Sequence, residues 1–417
     1  PPTGRARKLP RMLLLCLLLI AVALCISLPA TVAARTIGHR LHALDGAGVP
    51  GQVKAAPRRV PNTGGIAIFL GVALPMLGGL ALWWGLLGES PSPAWLFEPL
   101  REHWPGIRAR TTDAGVLLAG LALLHLMGLV DDRRPLGPYL KLVVMLGVAA
   151  FVAWRTETRL LMLLDVYPGG RWLSLALTVL WLGVVTNAFN FLDNMDGLSA
   201  GVAAVASAFF LLAAMINQQW FVGACLALLL GSVLGFLWFN FPRRGGATIF
   251  MGDSGSLVVG FLLGFLTART TYYDPEAGIG EGLGGGWYVV FMPLVVLAVP
   301  LYDFVSVSLI RLWQGRSPFV GDLQHLSHRL VRRGLSKRAA VVVIYGLTAV
   351  TAIGGVSLGR LEAWQAVLVG VQTGLVLMVL AIEEYAGARE RSRRMAAPAK
   401  TETEEIAAAA SVEGPSA

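Results

Sequence analysis

Eleven long apolar runs constrain the fold of this chain more than any other feature of its sequence. A helix needs about 17–25 apolar residues to cross a bilayer. Only 14% of the residues are charged, whereas soluble domains carry about 25%. The sequence therefore predicts an all-α, polytopic integral membrane protein with about 11 transmembrane helices. The runs lie near residues 12–34, 64–87, 113–130, 138–154, 171–188, 197–216, 219–240, 254–268, 286–312, 338–357 and 361–383.

The charges between the runs predict an orientation. The net charge of +9 is spread over loops, which is typical of a protein that faces an anionic leaflet and not of one that binds nucleic acid. The odd-numbered loops hold 17 Lys and Arg residues and the even-numbered loops hold eight. The positive-inside rule therefore places the odd loops in the cytoplasm and the N-terminus outside. The basic N-terminal tail argues for the opposite orientation.

Five of the odd loops carry clusters of polar residues. Ionisable groups near a bilayer are costly, so they are functional candidates. Because all five clusters fall on one membrane face, we expect a single site at the cytoplasmic interface. The clusters are residues 58–65, 131–134, 187–198, 250–256 and 322–330.

The stretch 187–198 is the richest of these clusters. On a helix, Asn187, Asn190 and Asn194 share one face, and Asp193 and Asp196 lie one turn apart. The stretch contains no Lys or Arg, so it indicates a missing cation, either a metal or a metal-bound phosphate. The alternative is an acidic, solvated loop between two helices.

Two further acidic clusters border apolar runs. Asp131 and Asp132 could share a metal, or one could act as a base; the alternative is charge neutralisation by neighbouring arginines. Lys141 lies about three helical turns further on and could bind phosphate. Asp253 is either an Mg²⁺ ligand or a helix N-cap, and Phe250 either stacks on a nucleobase or packs against the helix.

The basic loop after the ninth run contains His325 and His328 on one predicted helical face. With Asp322 they could bind zinc, but phosphate binding together with Arg316 fits this loop better. A solvated basic loop is the remaining alternative. In the run before it, Pro293 and Pro300 should break the helix, either opening a groove for a lipid or serving packing alone.

Carboxylates and phosphate-binding loops that connect so many apolar runs indicate two substrates, one in the membrane and one in aqueous solution. A soluble Mg²⁺–nucleotide and a phosphorylated lipid can meet only at the membrane interface, where the five loops are expected to converge.

The clusters resemble the motifs of the polyprenyl-phosphate N-acetylhexosamine-1-phosphate transferases. This family includes the bacterial undecaprenyl-phosphate GlcNAc-1-phosphate transferases and the phospho-MurNAc-pentapeptide translocase. The resemblance covers roughly residues 44–335; each motif is weak alone, but five in the family's order and spacing are specific. The matching segments are 44–45, 61–65, 128–132 with Lys141, 187–198 and 250–256, followed by Asp303, Arg311, Pro318, Asp322, His325 and His328.

The resemblance implies Mg²⁺-dependent transfer of a sugar-1-phosphate from a UDP-sugar to polyprenyl phosphate, with release of UMP and with Mn²⁺ as an alternative ion. It implies a multi-pass transferase domain over residues 1–383 in a bacterial plasma membrane, with a homodimer as one option. Residues 384–417 are then a cytoplasmic, mostly disordered tail. Metal binding is implied for Asp253 and Asp193, and catalytic roles for Asp131, Asp132, Asp193, His325 and His328. Substrate binding is implied for Lys141, Asn187, Asn190, Asp196, Phe250 and Arg316.

The chain departs from the family pattern at two positions. Asn194 stands where the family usually has glycine, which should stiffen the turn, and Ser327 stands where it has histidine, which removes a histidine pair. The start of the 187–198 motif and the lack of a triple histidine favour the GlcNAc-1-phosphate branch over the peptidoglycan translocase. Two rivals from other classes are a secondary transporter, which would place its ionisable groups near the midplane, and a non-catalytic scaffold.

The predicted orientation can be tested with single cysteines in a background without Cys16, Cys25 and Cys225. A cysteine at Gly334 should be protected from a membrane-impermeant maleimide in intact cells, because its loop carries seven Lys and Arg residues. A cysteine at Gly280 should be labelled and serves as the control. Labelling at Gly334 from outside would contradict a single cytoplasmic site.

Overall fold

The computed structural model describes residues 4–45, 58–84, 104–241, 245–270, 290–318 and 321–396. In these ranges the chain forms helices and turns without a β-strand, apart from an isolated antiparallel bridge between Leu44 and Pro61. The helices are α1 (Gly4–Arg40), α2 (Gly64–Leu82), α3 (Trp104–Asp131), α4 (Pro138–Arg155), α5 (Gly170–Leu192), α6 (Leu198–Ile216), α7 (Trp220–Asn240), α8 (Asp253–Thr270), α9 (Met292–Val296), α10 (Ala298–Trp313), α11 (Leu326–Arg332), α12 (Lys337–Ser357) and α13 (Ala363–Ala396).

Nine helices within the described ranges are long and apolar enough to cross a membrane, namely α1 to α7, α12 and α13. The prediction of an all-α polytopic membrane protein is thus confirmed. The other two predicted runs also correspond to helices. One is α8, which has 18 residues and carries charged side chains near both ends, and the other is divided into α9 and α10.

The division of the ninth run follows from its prolines. Pro293 lies in the first turn of α9 and Pro300 in the first turn of α10, on either side of the break at Leu297. Proline has no N–H group; it fits the first turn of a helix, whereas further along it removes a backbone hydrogen bond and favours a kink or a break. The break is the one that the sequence predicts.

The interior of the bundle is built around α8. All of its residues are buried except Asp253 and Arg269 at its ends, and it contacts α2, α3, α5, α6 and α7. A helix that is apolar on every face lies either among other helices or in lipid, and its contacts show that α8 lies among other helices. The polar first turn of α8 therefore opens at one end of the bundle, among the ends of its neighbours.

Glycine residues let two of these neighbours approach that first turn. A Cβ atom on Gly65 of α2 would lie 2.3 Å from the Gly255 nitrogen, and one on Gly128 of α3 would lie 2.4 Å from the Ser254 nitrogen. No side chain fits at such distances, and small residues at helix crossings are common in membrane bundles. The close crossings bring the loops next to α2 and α3 against the start of α8.

The last helix continues into the predicted tail. The described residues after Thr373 form a unit of their own, and α13 runs to Ala396. Residues 397–417 lie outside the described residues, so the disorder expected there stays a prediction.

Candidate active site

Asp132 caps the first turn of α8. Its Oδ1 atom accepts hydrogen bonds from Asn62 Nδ2 at 3.0 Å and from the Asp253 N–H at 2.8 Å, and its Oδ2 atom accepts one from the Ser254 N–H at 3.1 Å. A carboxylate here satisfies N–H groups that have no partner within the helix. Burial and the charge of Asp253 raise the pKa of Asp132 to about 7, against the lowering effect of these N–H groups. Asp132 thus joins the loops before α2 and α8 to the end of α3.

Lys141 connects two further carboxylates. Its Nζ atom lies 2.9 Å from Asp131 Oδ2 and 2.8 Å from Asp253 Oδ2. The second oxygen of Asp131 accepts the Leu136 N–H at 2.8 Å, and that of Asp253 accepts Asn190 Nδ2 at 3.0 Å. Residues from α3, α4, α5 and α8 therefore meet in one charged network, which contains four of the residues that the sequence predicts to act.

The helical spacing of the asparagines over 187–198 does not extend through the whole stretch. Helix α5 ends at Leu192, and residues 193–197 form a turn that closes at Gly197 with φ of +77°. Asn194 Nδ2 donates to the Phe191 carbonyl at 2.7 Å and so binds a carbonyl that the helix leaves free. Asn194 therefore does not share a helical face with Asn187 and Asn190, because the chain must reverse direction into α6.

Asp193 lies in this turn beside the other acids. Burial raises its pKa to about 8, the charges of Asp253 and Asp132 add to the effect, and a hydrogen bond from the Gly252 N–H opposes it. Near pH 7 the Asp193 carboxyl is therefore largely protonated, because its ionisation would add a buried charge next to the other acids. A bound cation would stabilise the ionised form of Asp193.

The oxygen donors at this site fit a magnesium ion that is shared with a substrate. Within the described ranges, no three His, Cys, Asp or Glu side chains are grouped closely enough to hold a metal unaided. Mg²⁺ usually takes one or two protein carboxylates and completes its coordination with water and substrate phosphates. Asp253 and Asp193 can supply those carboxylates, and such an ion would stabilise the ionised form of Asp193.

Asp196 has a different environment from the one expected for a direct substrate contact. Its side chain is 6% exposed and forms a two-point ion pair with Arg58, while its Oδ2 atom also accepts the Ala247 N–H at 2.8 Å. The Arg58 guanidinium in turn lies over the Phe250 ring, 4.7 Å from its centre. Asp196 therefore orients Arg58, and Arg58 covers one face of Phe250.

Asn187 lies outside the charged network. Its Nδ2 atom donates to the Gly183 carbonyl of its own helix at 2.9 Å and contacts Met145 Sδ at 3.6 Å. The structure thus places Asn187 at the packing contact between α5 and α4. Of these two asparagines, only Asn190 lies among the carboxylates of the network.

The last loop is organised around a buried arginine. Arg311 is 1% exposed; it donates to both oxygens of Asp322, at 3.2 and 3.1 Å, and to the Pro318 carbonyl at 2.7 Å. His325 Nε2 lies 3.4 Å from Arg311, and its Nδ1 lies 2.8 Å from Asp303 Oδ2. Burial acts to raise the pKa of Asp322, but its bonds with Arg311 and with the Gln324 N–H outweigh this and lower it. Asp322 is thus paired with arginine, which disfavours the zinc alternative.

The other two predicted residues of this loop are more accessible. His328 is half-buried on α11, where burial and the electrostatic effects of His325 and Arg332 lower its pKa to about 4. Its imidazole is therefore neutral near pH 7 and can accept a hydrogen bond. Arg316 is exposed after the end of α10, so its guanidinium is accessible to a soluble anion.

The two departures from the family pattern contact each other. Ser327 Oγ donates to Asn194 Oδ1 at 2.6 Å, and Ser327 is 1% exposed. On the same side of the bundle, Arg311 lies over the Phe191 ring, 5.1 Å from its centre. The last loop is thereby attached to the turn that carries Asp193.

The sequence did not identify some residues that support the site. His125, inside the third apolar run, has Nδ1 3.0 Å from the Ser254 carbonyl and stacks on Phe69 at 4.4 Å. Asn240 accepts the Gly197 N–H at 2.8 Å and donates to the Ile249 carbonyl at 2.9 Å. An ionisable residue inside an apolar run was a usable signal for His125, whereas nothing near Asn240 in sequence points to its distant partners.

Comparisons with known proteins agree with this arrangement. The family model described as "Glycosyl transferase family 4" matches residues 114–271. The chain is 32% identical over 303 residues to the decaprenyl-phosphate N-acetylglucosaminephosphotransferase of Mycobacterium tuberculosis (strain CDC 1551 / Oshkosh), covering 68% of this chain and 72% of the relative.

Two other relatives carry similar names. The probable undecaprenyl-phosphate N-acetylglucosaminyl 1-phosphate transferase of Bacillus subtilis (strain 168) is 27% identical over 76% of this chain and 78% of its own length. The undecaprenyl-phosphate alpha-N-acetylglucosaminyl 1-phosphate transferase of Escherichia coli (strain K12) is 26% identical over 65% of this chain and 69% of its own length.

The bond between Ser327 and Asn194 can be measured by a double-mutant cycle. Ser327→Ala and Asn194→Ala should each lower the free energy of unfolding, and the two changes should be less than additive by about 1 kcal/mol, the usual contribution of one hydrogen bond. Chemical denaturation of the purified protein in detergent gives the values. The control is Ser308→Ala, which removes a hydroxyl bonded only to its own helix at Phe304. Strict additivity would show that the contact contributes nothing.

Proposed function

Because this chain belongs to the polyprenyl-phosphate N-acetylhexosamine-1-phosphate transferase family, we propose that it transfers GlcNAc-1-phosphate from UDP-GlcNAc to polyprenyl phosphate. The reaction forms a bond between a lipid phosphate oxygen and the β-phosphorus of the donor. It breaks the bond from that phosphorus to the bridging oxygen, and UMP leaves with that oxygen. The product starts a lipid-linked glycan at the cytoplasmic face of a bacterial plasma membrane.

The observation that carries the proposal is the network of Asp131, Lys141, Asp253 and Asn190 next to Asp193. It gathers four helix ends at one end of the bundle, where a membrane-embedded chain and a soluble nucleotide can both arrive. Its mixture of carboxylates with one ammonium group suits two phosphate-bearing substrates and a divalent cation. A transporter would instead place such groups near the midplane.

Each residue of the network has a proposed role. Asp131 accepts hydrogen bonds from Lys141 and from the Leu136 N–H, both of which favour its carboxylate form, so it can accept a proton from the lipid phosphate. Lys141 can turn from the carboxylates to a substrate phosphate as a point charge. Asp253 and Asp193 would hold Mg²⁺, which supplies Lewis-acid stabilisation of charge on the donor diphosphate.

The nucleoside is proposed to bind beside Phe250. One face of its ring is covered by Arg58, which Asp196 fixes in place. A uracil ring on the remaining face would stack against an aromatic group that cannot turn away. Arg316 and His328 are proposed to contact the diphosphate from the last loop.

Removal of the proposed metal ligand should abolish activity. We expect Asp253→Asn to lower turnover at least about 10²-fold, the scale on which one catalytic charge stabiliser acts, and excess EDTA to do the same until Mg²⁺ is restored. The measurement is UMP release by purified protein with polyprenyl phosphate. Asp165→Asn is the matched control, since Asp165 pairs with Arg159 in another loop. Full turnover in excess EDTA would contradict the role of the metal.

The donor can be identified with a panel of UDP-sugars. UDP-GlcNAc, or a close N-acetylhexosamine relative, should yield a lipid-linked product that mass spectrometry detects, whereas UDP-MurNAc-pentapeptide should not. The reverse result would place the chain in the peptidoglycan branch. If no donor reacts and a solute crosses reconstituted vesicles instead, the protein is a transporter.

A further inference from the structure

A second group of charges lies at the other end of the bundle. Arg269 Nη1, near the end of α8, lies 3.1 Å from Asp113 Oδ2 and 3.2 Å from Thr158 Oγ1. Arg110 Nη1 reaches the same Asp113 oxygen at 3.0 Å. Two guanidinium groups thus share one carboxylate, which leaves a net charge of +1.

This group is remote from the carboxylate network. Arg269 follows Asp253 by 16 residues on α8, a separation of about 24 Å at the rise of an α-helix. It therefore lies towards the opposite membrane face, and the reaction proposed above makes no use of it. Ionisable groups enclosed among membrane helices are functional candidates.

A cavity of about 670 Å³ opens beside these charges. Its walls come from α1, α2, α3, α7 and the end of α8 and are mostly apolar, with Leu19, Met76 and Leu228 among them, while Arg110 and Arg269 line it as well. Its volume falls within the range of about 300–1,000 Å³ that is usual for ligand pockets.

One polar atom of the lining lacks a partner. Gln219 Oε1 is buried and accepts no hydrogen bond from any described part of the protein, although Gln219 Nε2 lies 3.3 Å from the Thr270 carbonyl. A buried acceptor without a donor is costly. A ligand that brings a hydroxyl group into the cavity would remove this cost.

We propose that this cavity is a binding site for an anionic phospholipid from the leaflet opposite the active site. An acyl chain fills the apolar part and a glycerol hydroxyl reaches Gln219. The phosphate lies against Arg110, whose side chain is half exposed, whereas Arg269 is already engaged by Asp113, Thr156 and Thr158. The net positive charge selects anionic over zwitterionic headgroups, and the apolar walls exclude free phosphate.

The first test fills the cavity. Gly79 lines the cavity, and a Cβ atom on it would meet no atom within 4 Å. A Cβ atom on the neighbouring Gly78 would also meet no atom within 4 Å, but Gly78 does not line the cavity. In native mass spectrometry with added phosphatidylglycerol, Gly79→Phe should lower the bound fraction at least about 5-fold, and Gly78→Phe should leave it unchanged. Equal binding by the two variants would overturn the proposal.

The second test removes the charge. Arg110→Gln should weaken binding of phosphatidylglycerol but not of phosphatidylcholine, while Arg108→Gln, an exposed arginine of the same helix outside the cavity, should change neither. If both lipids lose affinity equally, headgroup selection by Arg110 is refuted.

If polyprenyl phosphate displaces phosphatidylglycerol from the wild-type cavity at equal concentration, the assigned ligand is wrong. All four variants should retain transferase turnover, which checks their fold independently of the lipid site.

Discussion

The cap that Asp132 forms on α8 is the interaction on which the rest of the site depends. One carboxylate accepts bonds from the loop before α2 and from two N–H groups of α8, while its own backbone continues from α3. The three segments are held together where helix N–H groups would otherwise be unsatisfied in a poorly hydrated place. Asp253, Asp131 and Lys141 are then close together because the ends of their helices lie next to one another.

The span pattern was predictable because hydropathy and length alone determine which segments enter a bilayer. The charged loops were expected at one end of the bundle because successive membrane helices alternate in direction. The sequence did not indicate the role of each acid in the site. Asp132 and Asp253 are both acids at a helix boundary, yet one is a cap and the other faces the site. Partners far apart in sequence, such as Arg58 and Asp196, set these roles.

Local pattern failed where tertiary packing decides the backbone. Helical spacing places Asn187 and Asn194 with Asn190, but α5 ends at Leu192 because the chain has to turn into α6. Asn194 is used to bond a free carbonyl and Ser327. Two residues that look like independent departures from a family pattern are therefore one contact, which only the folded arrangement reveals.

The position of Lys141 bears on how the enzyme admits its ligands. The ammonium group serves as counter-ion to two acids from different helices. In the proposed reaction, ligand entry would be an exchange of ions, in which the metal cation takes over the acids and the lysine turns to the substrate phosphate. Through this exchange the protein would avoid both a collection of mutually repelling acids before the ligands bind and an unpaired cation beside the bilayer during turnover.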